Sequence, residues 1–264
     1  METIYKQLNK SKMKKQLFML VMLTVGFAAC KKENEKFNDA TEGGQSNTIT
    51  ARSAMVIPGP ENRLNPYDSI GYWHNEIVAY IQSCRSETGM PDVVTSTQCV
   101  MQFYSERQGI DLPASYFETV GQTVDRSNNS IEELITTCPY EEPVKEALNV
   151  LVRLLKRLSD NDSDYPEIKV AITDFEHDIL QSDRLTDEGR AIVLKTTAVA
   201  RYSIYYWIGI STPPVSGSAF KFKNIVKWIA AVTSDIGGAI VSGNAGYAAD
   251  CSSYAYDLVT YGMP

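Results

Sequence analysis

TDEGRAIVLKTTAVARYSIYYWIGI, residues 186–210, decides the fold. Thr186 and Asp187 suit a helix start, and Pro213-Pro214 ends whatever precedes it. Between them Ile192, Val193, Val199, Tyr202, Ile204, Tyr206 and Trp207 fall on most sides of a wheel turning about 100° per residue. A helix apolar nearly all round is one that its neighbours enclose. The stretch is therefore expected to be the long central helix of a bundle, and the sequence on either side has to supply its surround.

Upstream, Pro143 opens VKEALNVLVRLLKRL, in which Val144, Leu148, Leu151, Leu155 and Leu158 form one apolar stripe. Residues 159–164, SDNDSD, read as a turn. Pro166 sits in the first turn of the next helix, whose buried face is expected to carry Ile168, Ile172, Phe175 and Ile179. Nearer the N-terminus, Asp68 or Ser69 can cap a helix from Ile70 to about Cys84. Its apolar side holds Ile70, Trp73, His74, Ile77, Ile81 and Cys84. A second helix follows Pro91-Asp92 and is broken between Gly109 and Pro113. A short helix is expected from Tyr116 to Val124. Ser130 with Glu133 three residues on is a capping box for another, ending at Cys138-Pro139.

Downstream, helices are expected from about Phe222 to Val241 and from Ala245 to Tyr261. No segment alternates with period two between hairpin turns. The fold class expected is all-α: a single-domain, irregular bundle of six to eight helices around a buried long central helix, occupying residues 65–264.

The chain of 264 residues opens differently. Met13 to Cys30 reads MKKQLFMLVMLTVGFAAC, with Lys14 and Lys15 ahead of an apolar run from Leu17 to Ala29 that closes on small residues. This is the pattern of a secretory signal peptide over residues 1–29. The run of about 13 residues falls short of the roughly 20 that a bilayer span needs. The twelve residues before Met13 are a long basic n-region, or else Met13 is the true start. Residues 30–64 are polar, with Gly43-Gly44 and Pro58-Gly59-Pro60. They are expected to form a flexible tether with a root-mean-square reach of about 30–35 Å.

Phe27-Ala28-Ala29-Cys30 resembles the lipobox of bacterial lipoproteins, in which the cysteine is lipid-modified after cleavage; Phe27 stands where that family prefers leucine. The resemblance implies that Cys30 becomes the mature N-terminus carrying a diacylglycerol. Two or more acyl chains anchor a protein stably where one does not. Lys31-Lys32-Glu33-Asn34-Glu35 resembles the charged segment after the lipid cysteine in surface-exposed lipoproteins of Bacteroidota. Asp68-Ser69-Ile70 resembles the O-glycosylation acceptor of the same bacteria, although a helix cap is the favoured reading of these residues. Together NPYDSIGYWHNE, RYSIYYW and the small-residue C-terminal helix resemble an uncharacterised group of helical Bacteroidota envelope lipoproteins, a likeness that implies no particular activity.

Removing residues 1–29 takes away five lysines and one glutamate, so the net charge falls from −7 to −11. An acidic surface repels phosphate backbones, which argues against nucleic-acid binding. The membrane contact expected is the N-terminal lipid itself. Four cysteines follow Cys30, and an exported chain with an even number can form disulfides. Three pairings are open. Cys84 with Cys99, on consecutive helices, is preferred, and four buried thiols are the alternative.

The chain has only two histidines. His74 lies on the apolar face of its helix, and Glu76 is about 200° away, so the two do not share an ion. Gly71-Tyr72-Trp73-His74 resembles in part the Gly-x-His-x-x-Glu motif of imelysin-like proteins, but Ile77 stands where the glutamate belongs and the site does not carry over. Asp174, His177 and Asp178 share a face at i, i+3 and i+4, a spacing that can chelate a divalent ion. A solvated acidic face is the favoured reading. No GxSxG, HExxH, Walker or Rossmann signature is present.

The glycine-rich stretch 235–246 carries small-xxx-small pairs that allow close helix approach or, less favoured, membrane insertion. The 15 tyrosines and three tryptophans serve a helical core or line a peptide or glycan site. No cofactor or metal is expected. The function expected is that of an outer-membrane, lipid-anchored cell-envelope protein, periplasmic or surface-exposed. It would have a binding or structural role toward an envelope protein, peptide or glycan. The alternative is a hydrolase or metal-dependent enzyme using His74 or the Asp174/His177/Asp178 cluster.

Overall fold

The long helix runs from Asp187 to Ser211, and every residue from Thr196 to Ile204 is buried, so it is enclosed on all sides through its middle. It belongs to a computed structural model that describes residues 58–88, 93–113, 115, 117–211 and 225–261. The expected signal peptide, Cys30 and the part of the expected tether up to residue 57 lie outside the described residues.

In chain order the helices are α1 (Asp68–Thr88), α2 (Val93–Gln108), α3 (Val120–Thr137), α4 (Glu142–Asp160), α5 (Tyr165–Gln181), α6 (Asp187–Ser211), α7 (Ile225–Ser242) and α8 (Ala245–Tyr261). The fold is all-α, and there are no strands among the described residues. Four helices close a ring of neighbours: α1 packs on α6, α6 on α7, α7 on α8, and α8 back on α1. The rest are added outside it. α2 leans on α1 and α8, α3 on α7 and α8, while α4 and α5 cover the remaining side of α6.

Asp164 and Glu167 close a reciprocal capping box at the start of α5. Ser130 sits at a kink inside α3 with its Oγ accepting from the Glu133 amide, so one bent helix stands where two short ones are expected. The α7–α8 turn needs only Gly243, at φ +61°, and Asn244, whose Oδ1 accepts from the amides of Gly246 and Tyr247.

Two close approaches set the ring's dimensions. A Cβ on Gly71 would stand 2.5 Å from the Ala198 carbonyl oxygen of α6. One on Gly238 would stand 2.7 Å from the Ala248 Cα of α8. Residues 234–240 and 245–246 are buried, so the small-residue stretch is packing surface inside the domain. No helix among the described residues is long and apolar enough to cross a membrane.

Cys84 and Cys99 are joined by a disulfide that ties α1 to α2, with Cα atoms 6.1 Å apart. Cys138 and Cys251 are free and buried. The buried core draws on side chains from Ile77 to Ala255, all within one unit spanning Ala51–Pro264. That unit carries its own hydrophobic core, the mark of a domain that can fold by itself. Residues 58–64, tether by composition, hydrogen-bond onto it: Lys169 Nζ donates to the Gly59 carbonyl, and the Asn62 amide to Glu176.

Gly71→Ala should lower stability by about 1–3 kcal/mol, because the obstacle is helix backbone that has no other rotamer to adopt. Replacing Cys84 and Cys99 together by serine should cost about 3 kcal/mol, the value for a loop of this length. Denaturant titration of each variant beside the wild-type protein checks both.

Candidate functional site

Two buried charge clusters and one apolar pocket are the candidates. The first cluster is built on Arg201, in the middle of the enclosed stretch of α6 and fully buried. A guanidinium cannot shed its proton, so it must be matched by carboxylates. One Nη donates to Asp68 Oδ1 at 2.7 Å and to Glu176 Oε1 at 3.1 Å. Glu176 is also fully buried and accepts from the side-chain amides of Asn62 and Asn65, the latter at 2.7 Å. Asn65 donates as well to the Leu194 carbonyl. Asp68 accepts from the Tyr202 hydroxyl at 2.9 Å and from the Asn62 backbone N–H at 3.1 Å. The cluster thus joins the start of α1, the preceding strap, α5 and α6. Burial works against the Arg201 charge, but Glu176 and Asp68 more than offset it and hold its pKa above the ordinary value. Burial pushes the Tyr165 and Tyr202 hydroxyls well up, so both stay neutral.

The second cluster is His74 with Asp235, both fully buried. His74 Nε2 lies 2.8 Å from Asp235 Oδ1, and its Nδ1 lies 3.0 Å from Asn75 Oδ1. The Asn75 amide is oriented by donating from Nδ2 to the Tyr202 carbonyl at 2.8 Å, which turns its oxygen toward the ring. Both ring nitrogens therefore face acceptors, and the imidazolium satisfies both. Burial lowers the His74 pKa, but the Asp235 charge and these hydrogen bonds outweigh it, and the net shift is upward.

Ser203 donates to Asp235 Oδ2. A serine, a histidine and an aspartate thus meet inside the protein, but the aspartate stands in the middle. Ser203 and His74 each bind the carboxylate, so no hydrogen bond between nucleophile and base exists. The arrangement joins α1, α6 and α7 as a structural ion pair.

Asp174, His177 and Asp178 lie exposed on the outer face of α5. Among the described residues no three His, Cys, Asp or Glu side chains converge on a site that could hold a metal ion. Asp68, in the Asp-Ser-Ile triplet, has its carboxylate engaged by Arg201 and Tyr202. On α6, Tyr202 and Trp207 are core, with the indole donating to Ser252 Oγ, whereas Tyr205 reaches solvent.

Sequence reasoning missed Arg201, Glu176 and Asp235. The signal was available for two of them. Arg201 interrupts the apolar run of the central helix, and Glu176 falls between Ile172 and Ile179 on the inner stripe of α5. Charges at those positions need partners. Asp235 interrupts a glycine-rich stretch, where it counts against a membrane span but does not point to His74.

The pocket, of about 200 Å³, opens between α3, α4, α5, α6 and α7. Its floor is Ile131, Val152, Ile168, Ile204, Val232 and Ile236, all buried. Leu155 and Leu158 form half-buried walls, and Lys156, Ser159, Asp160 and Thr233 stand at the rim. Lys156 pairs with Glu132 across the surface between α3 and α4. No titratable group reaches the floor, so the pocket is suited to holding an apolar group.

Comparison with known proteins finds no matching family model, and no curated protein or solved structure gives a significant match. What the chain does has to be argued from its own residues.

Glu176→Gln should lower stability by roughly 3–5 kcal/mol, since it leaves Arg201 buried and undercompensated; thermal and denaturant melts read this directly. For His74, the folded pKa is raised above the unfolded value of about 6.5. Its contribution is therefore fully present below pH ~6.5 and is lost as pH rises through the folded pKa. The stability gap between the wild-type protein and His74→Gln should be widest at pH 5–6 and narrow at alkaline pH. A gap that widens with rising pH would contradict the imidazolium.

Proposed function

We propose that the chain is a lipid-anchored cell-envelope protein whose helical domain serves a binding role, held off the membrane by the tether after Cys30. The observation that carries this reading is the run from Met13 to Cys30: two lysines, an apolar stretch too short to span a bilayer, and a cysteine after two alanines. The charge of −11 after residue 29 supports it, because such a surface gives no purchase on anionic headgroups and leaves attachment to the lipid. The segment after Cys30 and the helical composition favour a Bacteroidota envelope and the outer membrane. The apolar pocket favours binding over a purely structural part. The buried state of His74 and the outward position of the Asp174 cluster give no support to the hydrolase or metal-enzyme alternative.

Metabolic labelling with an alkyne fatty acid in a Gram-negative host tests the anchor. The full chain should take label into the envelope fraction, and Cys30→Ala should take none and lose its membrane association. Equal label on both, or none on either, would overturn the reading. Protease shaving of intact cells then assigns the domain to the periplasm or the cell surface.

A further inference from the structure

We infer that the pocket between α4 and α7 is a binding site for a free apolar small molecule of about the size of a substituted aromatic ring. This rests on the binding role proposed above and names its ligand class. Three observations lead there. First, five helices share a cleft of about 200 Å³ that is partly open to solvent and mostly apolar in its lining. Second, its surfaces are graded. The buried floor is wholly aliphatic, and all four polar lining residues are half-buried or exposed at the rim. A ligand held there has an apolar body inward and any polar substituent outward, toward Ser159 and Thr233.

Third, size selects the ligand class. A dry, apolar cavity of about 150 Å³ takes up benzene. One of 200 Å³ therefore fits a ring bearing a short substituent. A membrane acyl chain of about sixteen carbons would overfill it, as would a helix of a protein partner. The Arg201 and His74 clusters take no part: their charges are matched inside the fold and neither lines the pocket.

The test uses the Ala51–Pro264 unit, which has its own core, with indole as the probe. Isoleucine-methyl NMR during an indole titration should show saturable shifts at Ile131, Ile168, Ile204 and Ile236, with Ile77 and Ile81 unmoved. Indole at several times its dissociation constant should raise Tm by a few degrees. Val232→Phe and Val152→Phe, which fill the floor from opposite sides, should abolish the indole shifts while keeping a cooperative melt. Absence of saturable methyl shifts, or shifts at isoleucines outside the pocket, would overturn the inference. So would binding undiminished in both filled variants, or a lysophospholipid that shifts these methyls when indole does not. Cys30 is missing from this unit, so a failed indole titration leaves the lipid-anchor reading standing, and an unlabelled Cys30 leaves the pocket standing.

Discussion

A guanidinium buried in the middle of the longest helix is the constraint on which the rest of the structure depends. Arg201 cannot be neutralised by losing its proton, so the fold must bring carboxylates to it. It brings two, Asp68 from the start of α1 and Glu176 from the inner face of α5. Glu176 in turn gathers Asn62 and Asn65, which fixes the strap before α1 against the bundle. Two consecutive residues of α6 thus hold α1 by its first turn, Arg201 through one Asp68 oxygen and Tyr202 through the other. Apolar packing supplies the drive to collapse but is tolerant of small slips. A charge matched at hydrogen-bond distance is not, and it sets which helices meet and in what register.

The His74–Asp235 pair applies the same logic nearly two turns further along α1. It joins α1 to α7, while Asn75 reaches the Tyr202 carbonyl and Ser203 reaches the same aspartate. Residues 201, 202 and 203 of α6 therefore all take part in fastening α1. The residue types that suggest hydrolytic chemistry in a list are here consumed by internal pairing. The pocket, by contrast, is apolar to its floor and opens between α4 and α7. Charge fixes the architecture of this domain, and an apolar recess is what it offers to a ligand. A signal peptide with a lipobox-like end would place that recess in the cell envelope.

Much of the architecture was legible because helical periodicity is a local property. The all-round apolar run at 186–210 marked the enclosed helix, and the Leu148–Leu151–Leu155 stripe marked α4. The cap at Ser130 was readable from spacing alone, whereas Asp164, read only as part of a turn, proved to cap α5. What was not legible depended on contacts across long sequence separations. The break expected between two short helices became a kink in α3, since Ser130 caps without the chain changing course enough to end the helix. Residues 58–64 look like linker by composition, yet two of them bond to α5, because Glu176 presents an acceptor to Asn62 and Lys169 a donor to the Gly59 carbonyl once the bundle has formed. The pocket left no trace at all in the sequence: its floor residues are ordinary core positions on five helices, and only their mutual distances leave the space.

The measurement that bears most directly on the buried-charge account is a double-mutant cycle on Arg201 and Glu176, each replaced by methionine, read by denaturant unfolding. Each single variant leaves a buried charge short of a partner, Arg201 with Asp68 alone or Glu176 with the Asn62 and Asn65 amides alone, whereas the double variant removes both charges. The account predicts two large individual losses and a double variant more stable than their sum by about 2–3 kcal/mol. Additive losses, with no coupling between the two sites, would show that the helices find their register without this pair.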